Sequence, residues 1–199
     1  MNQQAYDQGF DPAAYVGSLR NYRSFVKGLM ETAVADPGHV ERLKQAAARL
    51  PQPVRATVMT EDWCGDSACN LPILANLFAR AGVELRLLRG SEHPELKRYY
   101  EESGDDHIPV LSIWDGDWAE AARWIEAPEA AEARKDAWKA ARPAFMDAYR
   151  RKQTGDAEAA KQFAPMYREL LDEMSGWYRD GLWTETTREV AERLERGPA

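Results

Sequence analysis

The sequence predicts an α/β protein with a central mixed sheet of about four strands flanked by helices, plus N-terminal helices and a C-terminal helical extension. Three observations lead to this fold class. Helical and strand patterns follow one another in the order α-α-β-α-β-α-β-β-α. A β-branched run from Val54 to Thr60 passes directly into a segment with the apolar spacing of a helix. An Asp115-Gly116 pair then separates two further strand patterns, and this dipeptide is typical of hairpin turns.

Helices are predicted on the N-terminal side of the first strand. Apolar residues recur at helical spacing over 13–35, which predicts one amphipathic helix. The Asp-Pro-Gly sequence at 36–38 ends this helix, because proline and glycine interrupt regular structure. A second helix is predicted at 39–50, before the Pro-Gln-Pro sequence at 51–53.

The central part of the chain alternates strands and helices. The predicted elements, in order, are a strand at 54–60, a helix at 66–81, a strand at 83–88, a helix at 94–103, a strand at 108–114 and a strand at 118–125. Gly82 suits the end of the first of these helices, since glycine readily adopts the left-handed conformation found there. We expect the two strands that flank this helix to be parallel and the last two strands to form an antiparallel hairpin.

Helical patterns return after the last strand. Residues 129–151 are rich in Ala, Glu, Lys and Arg, and Pro143 is expected to divide this segment or to begin a new helix. A long apolar stripe predicts a helix over 157–179. Thr184 is a suitable N-cap for a last helix.

The domain organisation follows from these patterns. A chain of 199 residues is long enough for one well-buried core with an added helical part. We expect an N-terminal helical extension at 1–53 packed on a sheet-containing core at 54–142. A C-terminal helical extension at 143–199 completes what we expect to be one compact unit.

Composition and charge restrict the class of protein. The net charge of −7 argues against nucleic acid as a main partner, because phosphate binding needs a basic surface. No stretch reaches the roughly 18 apolar residues of a membrane span, and residues 1–12 lack the basic and apolar regions of a secretory signal. Two cysteines do not make a disulfide framework. We therefore expect a cytoplasmic protein with reduced thiols and no association with membranes.

The most informative segment lies where the first strand meets the helix that follows it. The segment reads Trp63-Cys64-Gly65-Asp66 and places a cysteine at the predicted start of the helix. The free N–H groups and the positive end of the helix dipole stabilise a thiolate there, and a stabilised thiolate is a nucleophile at neutral pH. We therefore expect the Cys64 sulfur to be partly exposed and to have a lowered pKa. A buried and inert cysteine is the alternative.

This segment resembles the active-site turn of the thioredoxin superfamily, and the resemblance covers about residues 54–142. It depends on Trp63-Cys64-Gly65, on Pro72 and on Ile108-Pro109 at the start of the third strand. The chain is similar to a divergent thioredoxin-like branch with a Trp-Cys-Gly-Asp motif and extra terminal helices. The resemblance implies a thioredoxin-like fold in which Cys64 is the nucleophile and Pro109 is the cis-proline that lies against its sulfur. A cis-proline also suits the start of a central strand.

The position of the family's second cysteine holds Ser67. A serine closes no disulfide, so the resemblance implies a monothiol site that forms mixed disulfides with glutathione or with a protein. The Ser67 hydroxyl is expected to hydrogen-bond the Cys64 thiolate, and an ordinary first-turn helix residue is the alternative. Val58 stands where thioredoxins have a buried aspartate, which argues further against dithiol reductase chemistry.

Cys69 is the other cysteine and a possible second redox thiol. Five helical residues separate two Cα atoms by about 8 to 9 Å, whereas a disulfide needs about 4.4 to 6.8 Å. A bridge from Cys64 to Cys69 therefore requires the first turn of the helix to unwind. Cys69 also shares a row with Ile73 and Leu77, which we expect to face the core. We interpret Cys69 as a packing residue, with a redox switch that distorts the helix start as the alternative.

Charged neighbours are expected to act on the Cys64 thiolate. Asp66 suits the helix dipole but opposes a nearby negative charge. Glu61 and Asp62 are expected to form a solvated acidic rim. His107, just before the third strand, is expected near the Cys64 sulfur as a partner of the thiolate or a general base, and an exposed loop histidine is the alternative.

The same region of the sequence contains several tryptophans and three candidate metal ligands. Four tryptophans are expected to line the site or to pack in the core: Trp63, Trp114, Trp118 and Trp124. Cys64, Cys69 and His107 make a poor set of metal ligands, because the spacing of the two cysteines along a helix does not suit one ion. We therefore expect neither a metal nor a cofactor.

These observations favour a monothiol thiol–disulfide oxidoreductase in cell redox homeostasis, with Cys64, Ser67 and Pro109 as catalytic residues. The supporting residues are Trp63, Gly65, Asp66, His107 and Ile108. The expected partner is a protein disulfide, or glutathione as a co-substrate. The main alternative is a non-catalytic thioredoxin-fold binding or scaffold module, because a fold does not by itself supply a function. A peroxide-sensing cysteine ranks last, because only His107 offers a nearby positive charge.

Overall fold

The computed structural model describes residues 1–197, which form ten α-helices and four strands. The helices are α1 (Gln3–Asp7), α2 (Pro12–Ser18), α3 (Arg23–Met30), α4 (Pro37–Ala47), α5 (Gly65–Ala81), α6 (Pro94–Glu102), α7 (Glu129–Ala140), α8 (Pro143–Gln153), α9 (Ala157–Trp177) and α10 (Trp183–Arg196). The strands are β1 (Arg55–Thr60), β2 (Glu84–Arg89), β3 (Val110–Trp114) and β4 (Glu120–Ile125). A π-helical turn at Tyr178–Leu182 joins α9 to α10.

The four strands form one mixed sheet in the order β2-β1-β3-β4. β1 runs parallel to β2, and β3 is antiparallel to both β1 and β4. The predicted parallel pair and the predicted hairpin are therefore confirmed. Thr60 at the C-terminal end of β1 pairs with Arg89 at the end of β2. The loop that follows Thr60 leads to Cys64, so the central strand positions the cysteine.

The sheet and α5 form the core beneath this loop. Every residue of β1 after Arg55 is buried, as expected of a strand with neighbours on both sides. Most residues of α5 are also buried. The helix ends at Gly82, whose φ of 74° lies in the left-handed region that glycine adopts without steric cost.

The single helix predicted at 13–35 is wrong, because the structure has two helices there, α2 and α3. The break follows Ser18, and Tyr22 adopts a left-handed conformation with φ of 57°. Tertiary contacts stabilise the break. Arg20 donates its backbone N–H to the Asp62 carboxylate at 3.1 Å, so this amide is not available to continue the helix.

The other predicted helices and strands are present, with ends shifted by three residues or fewer before residue 180. Pro143 begins α8, which confirms that it starts a new helix. Thr184 lies inside α10, so its prediction as an N-cap is wrong. The short helix α1 was not predicted, because five residues are too few to show a helical period.

The chain forms two compact units. One contains residues 1–127 together with α10, and the other contains residues 128–182. The predicted division into 1–53, 54–142 and 143–199 stays a prediction. Within residues 1–197, no helix combines the length and the apolar character needed to cross a membrane.

Gly116 in the β3–β4 turn is a position where we expect a substitution to be costly. A Cβ atom there would lie 2.3 Å from the Gln52 carbonyl oxygen, which belongs to the backbone. We expect Gly116→Ala to lower the free energy of unfolding by about 2 kcal/mol or more, because the turn must shift. Gly28→Ala in α3 is the matched control, since its Cβ would meet open space. Urea unfolding should show that control unchanged or stabilised by up to about 1 kcal/mol; similar losses in both variants would contradict the steric argument.

Candidate functional site

Cys64 lies at the N-cap of α5, the position from which the helix begins. Its backbone N–H donates to the Glu61 carbonyl at 3.1 Å, which closes the turn after β1. The Ser67 backbone N–H donates to Cys64 Sγ at 3.4 Å. The sulfur thus takes the place that a serine or aspartate oxygen commonly has at a helix N-terminus.

The Cys64 sulfur also contacts the segment before β3. Sγ donates to the Ile108 carbonyl oxygen at 3.3 Å, and the Ile108–Pro109 peptide bond is cis. Pro109 is buried and Ile108 is half-buried. The structure therefore brings together Cys64, Ser67, Ile108 and Pro109. Because Sγ acts as a donor to Ile108, this arrangement suits the protonated thiol.

The Cys64 sulfur is not the partly exposed thiolate that the sequence led us to expect. Only 7% of the residue is exposed. Burial raises the pKa of Cys64 to about 11, and the negative charge of Asp66 adds to this increase. The Ser67 side chain and the amides of Ser67 and Asp66 favour the thiolate and offset part of the increase. The expected lowering of the pKa is therefore wrong, whereas the expected opposition from Asp66 is confirmed.

The burial of Cys64 has its origin in the N-terminal helices. A crevice of about 10 Å³ reaches the sulfur. Among the residues that line it are four side chains that we call the N-terminal cover: Tyr15, Leu19, Tyr22 and Val26. Ser67 lines the same crevice, and its buried Oγ has no hydrogen-bond partner among residues 1–197 while Sγ donates to Ile108. This hydroxyl therefore stabilises the sulfur only once the thiolate forms. A crevice of this size holds about one water molecule, so no disulfide substrate reaches the sulfur while the N-terminal cover is in place.

Asp62 is buried and paired, so the expectation of a solvated residue is wrong. Its Oδ1 accepts from Arg89 Nε at 2.7 Å, and the two side chains are 9% and 4% exposed. Arg89 also donates to Ser18 Oγ at 2.7 Å. Burial acts to raise the pKa of Asp62, but the Arg89 guanidinium and the Arg20 amide outweigh it, so the pKa of Asp62 is lowered. This pair connects the loop before Cys64 to the end of α2.

Sequence reasoning missed Arg89, although a signal for it was present. Parallel pairing of the predicted strands at 54–60 and 83–88 places the residues after them at the same edge of the sheet. An arginine directly after one strand and an aspartate two residues after the other are then neighbours. Glu61 makes a related contact, because it accepts from the Ser91 backbone N–H at 2.5 Å.

His107 lies apart from the sulfur contacts described above. Its side chain is 64% exposed, and its Nδ1 lies 2.7 Å from Asp106 Oδ1. The polar contact of Cys64 in this segment is with the Ile108 carbonyl instead. His107 in the structure therefore resembles an exposed loop histidine more than a general base for Cys64.

The tryptophans divide between surface and core. Trp63 is 60% exposed beside the buried Cys64. Trp114 and Trp124 are buried in the sheet, which agrees with core packing. Trp118 is partly buried, with the Arg55 guanidinium 4.6 Å from its ring centroid. Trp63 is therefore the tryptophan of this set that adds apolar surface next to the cysteine.

Cys69 is completely buried in α5, which agrees with its interpretation as a packing residue. Its backbone carbonyl accepts from Trp183 Nε1 at 2.9 Å. No disulfide joins the two cysteines. Among residues 1–197, no three His, Cys, Asp or Glu side chains are grouped so that they suit a metal ion.

The four-stranded mixed sheet, with a cysteine at the N-cap of the helix after its central strand, defines a thioredoxin-like protein. A family model described as Thioredoxin matches residues 11–139, and the chain belongs to this family. The sequence matches no curated protein.

Two solved structures share the fold over nearly the whole chain. A protein of unknown function from Pseudomonas aeruginosa has 20% sequence identity and a TM-score of 0.61, and the match covers 98% of this chain and 99% of that chain. An HIV epitope-scaffold protein has 19% identity and a TM-score of 0.60, with 98% of each chain covered. At this coverage the likeness extends to helices outside residues 11–139.

Proposed function

We propose that the protein is a monothiol thiol–disulfide oxidoreductase whose nucleophile is Cys64. The observation that carries the proposal is the placement of Cys64 Sγ between the Ser67 amide at 3.4 Å and the Ile108 carbonyl at 3.3 Å. A cysteine used only for packing needs neither contact. The helix N-terminus stabilises negative charge on the sulfur once the proton leaves.

The proposed reaction has two exchange steps. The Cys64 thiolate attacks one sulfur of a glutathione mixed disulfide or a protein disulfide. A new S–S bond forms to Cys64, and the other sulfur of the substrate leaves as a thiolate and takes up a proton. Because Ser67 supplies no second thiol, an external thiol such as glutathione then attacks this mixed disulfide. Cys64 leaves as a thiolate, and the external thiol carries away the substrate sulfur as a new disulfide.

Substrate access requires movement of the N-terminal cover. In the structure the side chains of Tyr15 and Leu19 lie over the crevice that leads to Cys64. Displacing them brings water and the substrate sulfur to Sγ and removes the burial that raises its pKa. Trp63 offers exposed apolar surface for the substrate next to the sulfur. We place the reaction in the cytoplasm, where thiols are kept reduced.

Two cysteine variants test the proposal directly. We expect Cys64→Ser to lower the rate at which glutathione is removed from a glutathionylated peptide by about three orders of magnitude or more, since a hydroxyl does not replace a thiolate in this exchange. We expect Cys69→Ala to keep the rate within about twofold, because Cys69 is a buried packing residue that costs mainly stability. The rate is followed by release of the free peptide thiol in the presence of glutathione.

Mass spectrometry of the reaction stopped with acid supplies the control. The proposal expects a mixed disulfide on Cys64 and none on Cys69. Equal loss of activity in both variants, with a disulfide between the two cysteines, would instead support a dithiol scheme. Absence of turnover in the unmodified protein would leave the second candidate function.

The second candidate is a non-catalytic thioredoxin-fold binding module. The burial of Cys64 and its raised pKa favour it, because a thiol in this state is a poor nucleophile at neutral pH. This candidate predicts that Cys64→Ser leaves partner binding unchanged. The oxidoreductase predicts instead that the unmodified protein traps a partner through a disulfide on Cys64 and that Cys64→Ser loses this trapping.

A further inference from the structure

We propose that Thr186, in the C-terminal helix α10, is a positioning residue for Cys64 that acts through Asn70 on the first turn of α5. The inference rests on the proposed function in one respect, because it takes Cys64 as the reacting thiol. Thr186 lies outside residues 11–139 that match the family model. The proposed role of Thr186 therefore extends the Cys64 site to α10, a helix far in sequence from the Trp-Cys-Gly motif.

Asn70 connects three segments around the start of α5. Its Nδ2 donates to the Asp66 carbonyl at 3.0 Å and to the Glu126 carbonyl at 3.5 Å. Its Oδ1 accepts from Thr186 Oγ1 at 2.8 Å. Asn70 and Thr186 are both fully buried. A buried side chain that connects this many groups fixes their relative positions, since each broken bond has a desolvation cost.

The first turn of α5 needs such support because Pro72 lies inside the helix. Proline has no N–H, so it cannot bond the carbonyl of Ala68, and its ring crowds that carbonyl. The next carbonyl, that of Cys69, accepts from Trp183 Nε1 at 2.9 Å. Helix α10 therefore supplies two donors, from Trp183 and Thr186, at the part of α5 that the proline weakens.

Burial and hydrogen bonding have opposite effects on the Cys64 thiolate, and the larger of the two decides how loosening the first turn changes the reactivity of Cys64. Burial is the main cause of its raised pKa, and the Ser67 side chain with the amides of Ser67 and Asp66 acts against it to a smaller extent. A looser first turn exposes Cys64 to water and so weakens the larger effect, burial. It also weakens the hydrogen bonds that stabilise the thiolate, but these are the smaller effect. We therefore expect a looser first turn to make Cys64 more reactive toward a small alkylating reagent.

The experiment compares three variants of the full chain. Thr186→Val removes the donor to Asn70 and keeps the shape of the side chain, whereas Thr186→Ser keeps the hydroxyl. Thr187→Val is the matched control, because Thr187 is equally buried on the same helix. Its hydroxyl contacts the Thr184 carbonyl and His39 rather than α5. The readouts are the iodoacetamide alkylation rate of Cys64 and the hydrogen exchange of backbone amides 65–70.

For Thr186→Val we expect alkylation of Cys64 to accelerate about threefold or more, which corresponds to a fall of about one pKa unit once the lower nucleophilicity of the less basic thiolate is included. Amides 65–70 should exchange faster in this variant, and Thr186→Ser should restore both readouts. Thr187→Val should leave both readouts as in the unmodified protein, even where its unfolding midpoint falls. Unchanged readouts in Thr186→Val, or the same change in Thr187→Val, would overturn the inference. If Thr186→Val does not fold, Trp183→Phe removes the other donor and is judged by the same readouts.

The two readouts also separate this inference from the proposed function. They report the position and protonation of Cys64 and require no turnover. Lack of disulfide exchange in the unmodified protein would defeat the proposed function, and the comparison of the Thr186 and Thr187 variants would still decide whether α10 positions the sulfur.

Discussion

At about pH 8, Cys64 is expected to be alkylated about twentyfold more slowly than free cysteine, even before steric shielding is considered. A pKa of about 11 leaves a much smaller thiolate fraction than an ordinary cysteine has. The fraction is lower by about two hundredfold when the free value is taken as about 8.5. The greater basicity of the thiolate recovers about tenfold in nucleophilicity. The loss of thiolate is therefore the larger effect.

The pH profile is the decisive part of this measurement. The alkylation rate of Cys64 should rise about tenfold per pH unit up to about pH 10, whereas a free cysteine levels off near its pKa of about 8.5. Shielding by the N-terminal cover lowers the whole curve but does not change its slope. Peptide mass spectrometry separates Cys64 from Cys69, which is fully buried and should stay unmodified. A profile that levels off at or below about pH 8.5 would contradict the raised pKa.

The sequence predicted the sheet and α5 because their signals are local. The run from Val54 to Thr60 has the composition of a buried strand, and the next segment has the period of a helix. Parallel pairing of β1 and β2 follows from the helix between them, since such a crossover returns the chain in the same direction. The position of Cys64 at the N-cap follows from the same two elements.

The sequence did not predict the environment of Cys64, because that environment is set by residues far away in the chain. Asp66 is a neighbour in sequence, and its effect on the thiolate was predicted with the correct sign. Burial depends on Tyr15 and Leu19, about 45 residues earlier. Nothing in a Trp-Cys-Gly-Asp motif indicates which side chains cover it, so the direction of the pKa shift could not be predicted from the motif alone.

The break between α2 and α3 has the same kind of cause. Apolar spacing is continuous over 13–35, so local propensity favours one helix. The structure instead uses the Arg20 amide and the Ser18 side chain to bond Asp62 and Arg89. A hydrogen bond to a buried charged group contributes more to stability than the helix propensity of one residue, which is less than about 1 kcal/mol.

Replacing Arg89 by methionine is expected to lower the free energy of unfolding by about 3 kcal/mol. The guanidinium is 4% exposed and donates to Asp62 at 2.7 Å. It also lies 4.9 Å from the centroid of the Tyr15 ring. The substitution leaves a buried carboxylate that still accepts from the Arg20 amide at 3.1 Å and from the Tyr15 hydroxyl at 3.4 Å, with the Arg20 side chain at 3.6 Å. These remaining partners are why we place the loss at the lower end of the usual range for a broken buried pair.

The stability lost in Arg89→Met is expected to depend on pH, and the pKa of Asp62 determines in which direction. In the unmodified protein the pKa of Asp62 is lowered, so the pair contributes stability above the unfolded value of about 3.9 and loses it as the pH falls. Arg89→Met removes the guanidinium that opposes the effect of burial, so we expect the pKa of Asp62 to rise. The variant should then lose stability as the pH rises from about 4 to 7. Urea unfolding at both ends of this range should show a larger difference between the two proteins at the higher pH.

The double variant Asp62→Asn with Arg89→Met identifies the cause. If the uncompensated charge is the main cost, the neutral amide recovers most of the lost stability and removes the pH dependence. If the lost packing of Arg89 on Tyr15 is the main cost, the double variant stays as unstable as Arg89→Met. The alkylation rate of Cys64 adds a second criterion, because Arg89 holds Ser18 and Asp62 holds the Arg20 amide. Arg89→Met should therefore loosen the N-terminal cover and accelerate alkylation, which connects the stability of this ion pair to the accessibility of the cysteine.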